Sequence, residues 1–67
     1  SEAYYIMSKY ETAEVLHTEG DWYLVRVGGN MLGYIKSEYT ETLTNKFVVV
    51  DISGQTLTLY DGNNIKN

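Results

Sequence analysis

The chain has 67 residues, which limits it to one small domain, and it carries nine acidic against five basic side chains, giving a formal charge of −4. The acidic balance disfavours nucleic acid and anionic membranes as partners, because both select clustered Lys and Arg. The absence of cysteine excludes disulfides, zinc–thiolate sites and thiol nucleophiles, and the longest apolar run, Phe47–Val50, is too short to cross a bilayer.

The first part of the chain predicts short strands separated by polar turns. Runs of β-branched and aromatic residues predict strands over residues 3–7, 12–18 and 22–27. In the second strand, simple alternation places Ala13, Val15 and His17 on one face. In the third strand, alternation separates Tyr23, which shares a face with the core valines, from Trp22, which lies on the other face.

The middle of the chain predicts a hairpin followed by a helical turn. Gly28-Gly29-Asn30 can adopt the positive φ angles of a tight turn, so residues 31–36 form the return strand. Gly33 lies inside this strand and predicts a bulge or kink. Residues 37–40 predict one helical turn, with Ser37 as its cap.

The last third of the chain has a different composition. Residues 41–45 are polar and predict a linker, whereas residues 46–52 are nearly all apolar and predict a strand covered on both faces. A further strand is predicted over residues 56–60, and Asp61-Gly62 begins another turn. Because the run Phe47–Val50 is too apolar to remain in water, we expect it to pack within the chain or between chains.

A family resemblance covers residues 3–40. Trp22-Tyr23-Leu24-Val25, the glycine hairpin, Gly33-Tyr34-Ile35 and the short turn ending in Tyr39 resemble the bacterial Src-homology-3 domain in order and spacing. The first strand of that family has no counterpart in this sequence. The resemblance implies an all-β chain that forms a small SH3-like barrel over residues 1–43, with an additional C-terminal β-hairpin over residues 44–67.

A second resemblance covers residues 46–62. The apolar run, Asp51, the turn with Gln55 and Leu57-Thr58-Leu59-Tyr60 are similar to the opening hairpin of the L,D-transpeptidase catalytic domain. The catalytic His and Cys of that family have no matching positions here, so no enzyme activity is carried over to this chain. The hairpin either begins another domain or packs on the barrel and replaces its missing strand.

The aromatic side chains are the candidate binding residues. Small barrels also use rings to fill a thin core, which is the expected role of Tyr23. Rings that lie off the core face can line a groove for peptide or sugar, and the four assigned to this groove are Trp22, Tyr34, Tyr39 and Tyr5. The acids Glu11, Glu14, Glu19 and Asp21 are predicted to be solvated and could attract amines along a groove's rim.

The remaining polar residues predict no catalytic, metal or cofactor site. His17 has no orienting partner or nucleophile beside it in the sequence, and the scattered acids do not supply the converging oxygens of a calcium site. Gly28-Gly29 lacks the Gly-Lys-Ser/Thr ending of a phosphate loop. The sequence therefore predicts a non-enzymatic chain without a cofactor.

Two functions from different classes follow from these observations. The first is a targeting module of an extracellular, wall-associated bacterial protein, which binds peptidoglycan or its stem and cross-link peptides. The second is a structural spacer or protein-interaction domain whose sheet edge, left by the missing strand, accepts a strand from a partner or from a second copy, which would give a homodimer. Neither function involves nucleic acid or insertion into a membrane.

Overall fold

The computed structural model describes residues 4–59, which are all-β apart from one short helical turn, as the sequence predicts. The predicted Asp61-Gly62 turn lies outside the described residues. No helix within residues 4–59 is long and apolar enough to cross a membrane. The elements are β1 (Tyr4–Met7), β2 (Thr12–Glu19), β3 (Trp22–Val27), β4 (Met31–Lys36), a 3₁₀ turn (Ser37–Tyr39), β5 (Thr40–Thr42), β6 (Phe47–Val50) and β7 (Gln55–Leu59).

The seven strands form one curled antiparallel sheet in the order β1-β7-β4-β3-β2-β6-β5. The strands β5, β6, β2, β3 and β4 are called here the main sheet. The two strands nearest the chain ends, β1 and β7, pair with each other and are called the end ribbon. The end ribbon joins the main sheet along β4, through the described pairs Gly33–Leu59 and Tyr34–Thr58.

The core is built from one face of this curled sheet. Alternation along each strand sends every second side chain inward, and the buried members are aliphatic. Tyr23 packs against this core, in agreement with its predicted role. The buried residues are Met7, Ala13, Val25, Val27, Ile35, Val48, Val50 and Leu57.

The apolar run of the last third is inserted between two strands. Thr12–Glu14 pair with one side of β6, and β5 pairs with the other side. Val48 and Val50 are buried, so both edges and the inner face of β6 are covered. The edge of β2 that β3 does not cover is therefore occupied by β6 of the same chain.

The predicted C-terminal hairpin is wrong in its pairing. Strands β6 and β7 follow each other in the chain but pair with different neighbours, and β2, β3 and β4 lie between them in the sheet. The physical reason is that both strands contribute to the common core, through Val50 on β6 and Leu57 on β7. Each strand pairs where its core residue is buried, β6 beside β2 and β7 beside β4. The predicted boundary between residues 43 and 44 falls in the loop between β5 and β6, which pair with each other.

Gly33 has a role other than the predicted bulge or kink. The β3–β4 ladder runs from Trp22–Lys36 to Val27–Met31 without a register shift. Gly33 is buried, and a Cβ atom placed on it would lie 2.7 Å from Leu57 Cγ and 2.7 Å from the carbonyl oxygen of Thr58. The glycine is therefore required for the close approach of β7.

The bulge lies in β2 instead, between Val15 and His17. An extra residue in one strand reverses the alternation beyond it. Val15 opposes the buried Val25, whereas His17 opposes Leu24 and lies on the solvent side. The prediction that His17 shares a face with Ala13 and Val15 is therefore wrong.

Ser37 is the first residue of the helical turn and not its cap, contrary to the prediction; the cap position is Lys36, whose side chain makes no capping hydrogen bond. Ser37 instead accepts a hydrogen bond of 2.8 Å at its carbonyl oxygen from the Thr40 hydroxyl. Its backbone N–H donates to the carbonyl of Asp21 at 2.8 Å, which ties the turn to the start of β3.

Candidate functional site

The structure divides the four predicted groove residues into two pairs. Trp22 and Tyr34 lie on the solvent side of β3 and β4, which is called here the outer face. Tyr5 and Tyr39 pack against the core instead. The four rings therefore do not line a single trough, and each pair has to be considered separately.

The centre of the outer face is formed by β3 and β4. Trp22 opposes Lys36, and Leu24 opposes Tyr34, so Trp22 and Tyr34 occupy diagonal positions, whose Cα atoms are about 7–8 Å apart. Trp22 is 41% exposed, and the ammonium of Lys36 lies 5.7 Å from the centre of its ring. This arrangement offers a flat apolar surface bordered by a cation.

The outer face continues onto the end ribbon. Thr58 opposes Tyr34 on one side and Tyr4 on the other, which places the two tyrosines two strands, or about 10 Å, apart. The small Thr58 side chain lies between them. Tyr4 is 61% exposed and Ile6 is 68% exposed, so the apolar surface extends across β1.

Sequence reasoning missed Tyr4 and Ile6 as surface residues. The signal was available, because alternation within residues 4–7 separates Tyr4 and Ile6 from Tyr5 and Met7. Met7 is fully buried, which identifies the inner face of β1, and Tyr5 lies on that same face. What was missing was the position of β1 next to β7 and Tyr34, which depends on pairing between the two ends of the chain.

An ion pair interrupts the outer face on the side away from the end ribbon. Arg26 donates to the Glu14 carboxylate at 2.8 Å, and the pair is partly exposed. Glu14 in turn opposes Phe47 on β6, whose ring is also on the solvent side. An ion pair of this exposure contributes little stability, but it separates Phe47 from the rings of β3 and β4.

Tyr5 is held on the inner side by a hydrogen bond. Its hydroxyl donates to Glu11 Oε2 at 2.7 Å, and Glu11 Oε1 accepts a bond of 2.9 Å from the backbone N–H of Ser8. The bond to the Glu11 carboxylate, burial and the negative charge of Glu11 together raise the pKa of the Tyr5 hydroxyl. This tyrosine joins the end ribbon to the turn that precedes β2.

Tyr39 lies in the 3₁₀ turn between β4 and β5. Its carbonyl oxygen accepts a bond of 2.8 Å from the backbone N–H of Asp51, and its ring packs on the core. The backbone bond joins the loop after β6 to the turn after β4, and the ring is half-buried. Its placement is explained by packing, so it adds no contact surface to the outer face.

The described residues contain no group of three His, Asp or Glu side chains placed to hold a metal ion. His17 is exposed, and its Nε2 atom lies 4.0 Å from Glu19 Oε1. This pair lies at the solvent side of β2 with no hydroxyl nucleophile bonded to the imidazole among the described residues. The chemistry that the outer face supports is contact binding through rings and aliphatic side chains.

Comparison of the chain with family models, with curated proteins and with solved structures gives no match.

Proposed function

We propose that the main sheet is an SH3-like barrel in which β6 takes the place of the missing first strand. Three features support this assignment: the strand order β5-β6-β2-β3-β4, the 3₁₀ turn between β4 and β5, and the insertion of β6 beside β2. The end ribbon is then an addition to that barrel, and the resemblance over residues 3–40 falls mostly within the main sheet.

We further propose that the chain is a non-catalytic binding module and that its ligand surface is the outer face. The observation that carries this proposal is the exposure of Trp22, Tyr4 and Ile6 on one continuous side of the sheet. A small acidic domain gains nothing in its own core from large apolar side chains on its solvent side. Contiguous exposed apolar surface of this kind is typical of interaction sites.

The ligand class that we propose is an extended wall polymer, namely peptidoglycan or its stem and cross-link peptides. Rings on a sheet face suit sugar rings and extended peptides, because both present flat surfaces with polar groups at their edges. The resemblances to the bacterial Src-homology-3 domain and to the start of an L,D-transpeptidase domain support an extracellular, wall-associated setting. In this setting the chain binds, and any cross-linking chemistry is done elsewhere.

The test is binding of purified chain to insoluble peptidoglycan, comparing wild type with Trp22→Ala. We expect at least about a tenfold loss of affinity, because a Trp at the centre of an interface commonly contributes that much. The fold should survive, since Trp22 is on the outer face and does not belong to the core. Far-UV circular dichroism and the melting temperature verify that survival.

The matched control is Leu43→Ala. Leu43 is also an exposed apolar residue, but it lies in the loop after β5, at the opposite edge of the sheet. We expect this variant to bind peptidoglycan like the wild type. Equal binding by the folded Trp22→Ala variant, or equal losses in both variants, would remove the outer face as the ligand surface.

A further inference from the structure

The turn between β1 and β2 displays an aromatic ring in an unfavourable backbone conformation. Tyr10 has φ of 69°, the left-handed region that bulky residues rarely adopt, and its ring is 66% exposed. Its backbone N–H donates to the carbonyl of Val50 at 2.8 Å, which fixes the turn against the end of β6. The ring is thus held at the surface by a rigid turn.

The face of the Tyr10 ring already meets a cation from its own chain. The ammonium of Lys9 lies 5.0 Å from the ring centre, within the range of a cation–π interaction. Lys9 is exposed and adjacent in sequence, so an outside cation can replace it without any rearrangement of the backbone.

Acidic groups lie beside the same turn. Glu11 follows Tyr10 directly, and Asp51 follows Val50, whose backbone is bonded to both Tyr10 and Glu11. The two carboxylates are half-buried, and Glu11 is held in place by Tyr5 and Ser8. Lys9 is the cation shown to face this ring within the described residues.

We propose that the exposed face of Tyr10, with the acidic residues Glu11 and Asp51 on the adjoining backbone, is a binding site for a primary ammonium group on an aliphatic stem. In the free protein Lys9 occupies this site. The site is separate from the outer face, so it does not depend on the polymer-binding proposal. Aromatic rings attract ammonium groups through the negative charge of the ring face, and nearby carboxylates add to that attraction.

The experiment is an NMR titration of backbone amides with n-butylammonium chloride at low ionic strength, with 1-butanol as the uncharged probe. We expect n-butylammonium, but not butanol, to shift the amides of residues 8–11 and 50–52. The Lys9→Met variant lacks the ammonium that occupies the site in the free protein. It should bind n-butylammonium about threefold more tightly, since an exposed cation–ring contact contributes about that much. Lys46→Met changes the net charge equally at a distant loop and should have less effect.

Two Tyr10 variants separate the ring from the fold. Tyr10→Asn removes the ring but tolerates the left-handed conformation, so the turn persists and the shifts at residues 8–11 should disappear. Tyr10→Phe keeps the ring and should bind like the wild type. The proposal is overturned if Tyr10→Asn binds n-butylammonium normally, or if Lys9→Met and Lys46→Met tighten binding to the same extent.

Discussion

The main sheet and the end ribbon are held in different ways. In the main sheet, β3 pairs along its whole length with β4 and over residues 22–26 with β2, and several buried residues, among them Val25 and Ile35, come from these strands. The end ribbon contributes the fully buried Met7 and Leu57, but its described ladder to β4 consists of two residue pairs. Within the described residues, these two pairs and the burial of Met7 and Leu57 join the ribbon to the main sheet.

Two backbone hydrogen bonds lie where the chain passes between the end ribbon and the main sheet, one after β1 and one before β7. The backbone N–H of Tyr10 bonds to Val50 at 2.8 Å, and that of Gly54 bonds to Met7 at 2.9 Å. A two-stranded ribbon alone is marginally stable in water, so its order depends on what it packs against. We therefore expect the ribbon to open at a lower free energy than the main sheet does, as peripheral cooperative units commonly do.

The largest expected effect is that of Leu57→Ala, which removes a fully buried side chain of the end ribbon. We expect a loss of about 2–5 kcal/mol in the free energy of unfolding, with amide exchange accelerated most in β1 and β7. The matched variant Ile35→Ala removes a buried side chain of similar size from the main sheet and should accelerate exchange across all strands. If the two variants give the same exchange pattern, ribbon and sheet are one cooperative unit.

The next effect is that of Gly33→Ala, which tests the contact between β4 and β7. The added Cβ would meet the Thr58 carbonyl oxygen and Leu57 Cδ2 at 2.7 and 2.9 Å. Because a backbone atom cannot yield cheaply, we expect a loss of about 1–3 kcal/mol, measured by urea unfolding. Gly29→Ala is the control, since a Cβ there has no atom within 4 Å; a similar loss in the control would argue against close approach as the cause.

The smallest effect concerns the bond from Tyr5 on the ribbon to Glu11, and it is confined to alkaline pH. The pKa of Tyr5 is raised in the folded state, because its hydroxyl donates to a carboxylate and its phenolate would be repelled by the charge of Glu11. The stabilisation is therefore complete below the unfolded pKa of about 10 and is lost as the pH rises through the higher folded value.

Thermal melts from pH 8 to 11 measure this loss. Tyr5→Phe has no hydroxyl to ionise, so its stability should fall less steeply above about pH 10 than that of the wild type. Parallel curves for the two proteins across this range would mean that the Tyr5–Glu11 bond does not link the ribbon to the turn.

The candidate site was predictable to the extent that strand alternation applies. Alternation in β3 correctly separated Trp22 from Tyr23, because that strand has no bulge and one of its faces is buried. The same rule failed at His17, where the bulge in β2 reverses the faces. Alternation also cannot show that Tyr5 and Tyr39 both pack on the core, or that Tyr34 and Tyr4 share the outer face. These placements depend on pairing between strands that are distant in the sequence.

The sequence by itself determined the all-β class and every described strand except β5, because β-branched and aromatic runs between glycine-rich and polar segments favour extended pairs locally. The polar residues 41–42 of β5 were assigned to a linker, since their only strand signal is the pairing with β6. The sequence also showed that Phe47–Val50 needs cover from water. The tertiary structure alone decided which strands cover it, placing β6 beside β2 and β7 beside β4, and so divided the predicted rings between the outer face and the core. The physical reason is that pairing between distant strands is selected by the shared core, whose close packing at Gly33 and Leu57 no local pattern expresses.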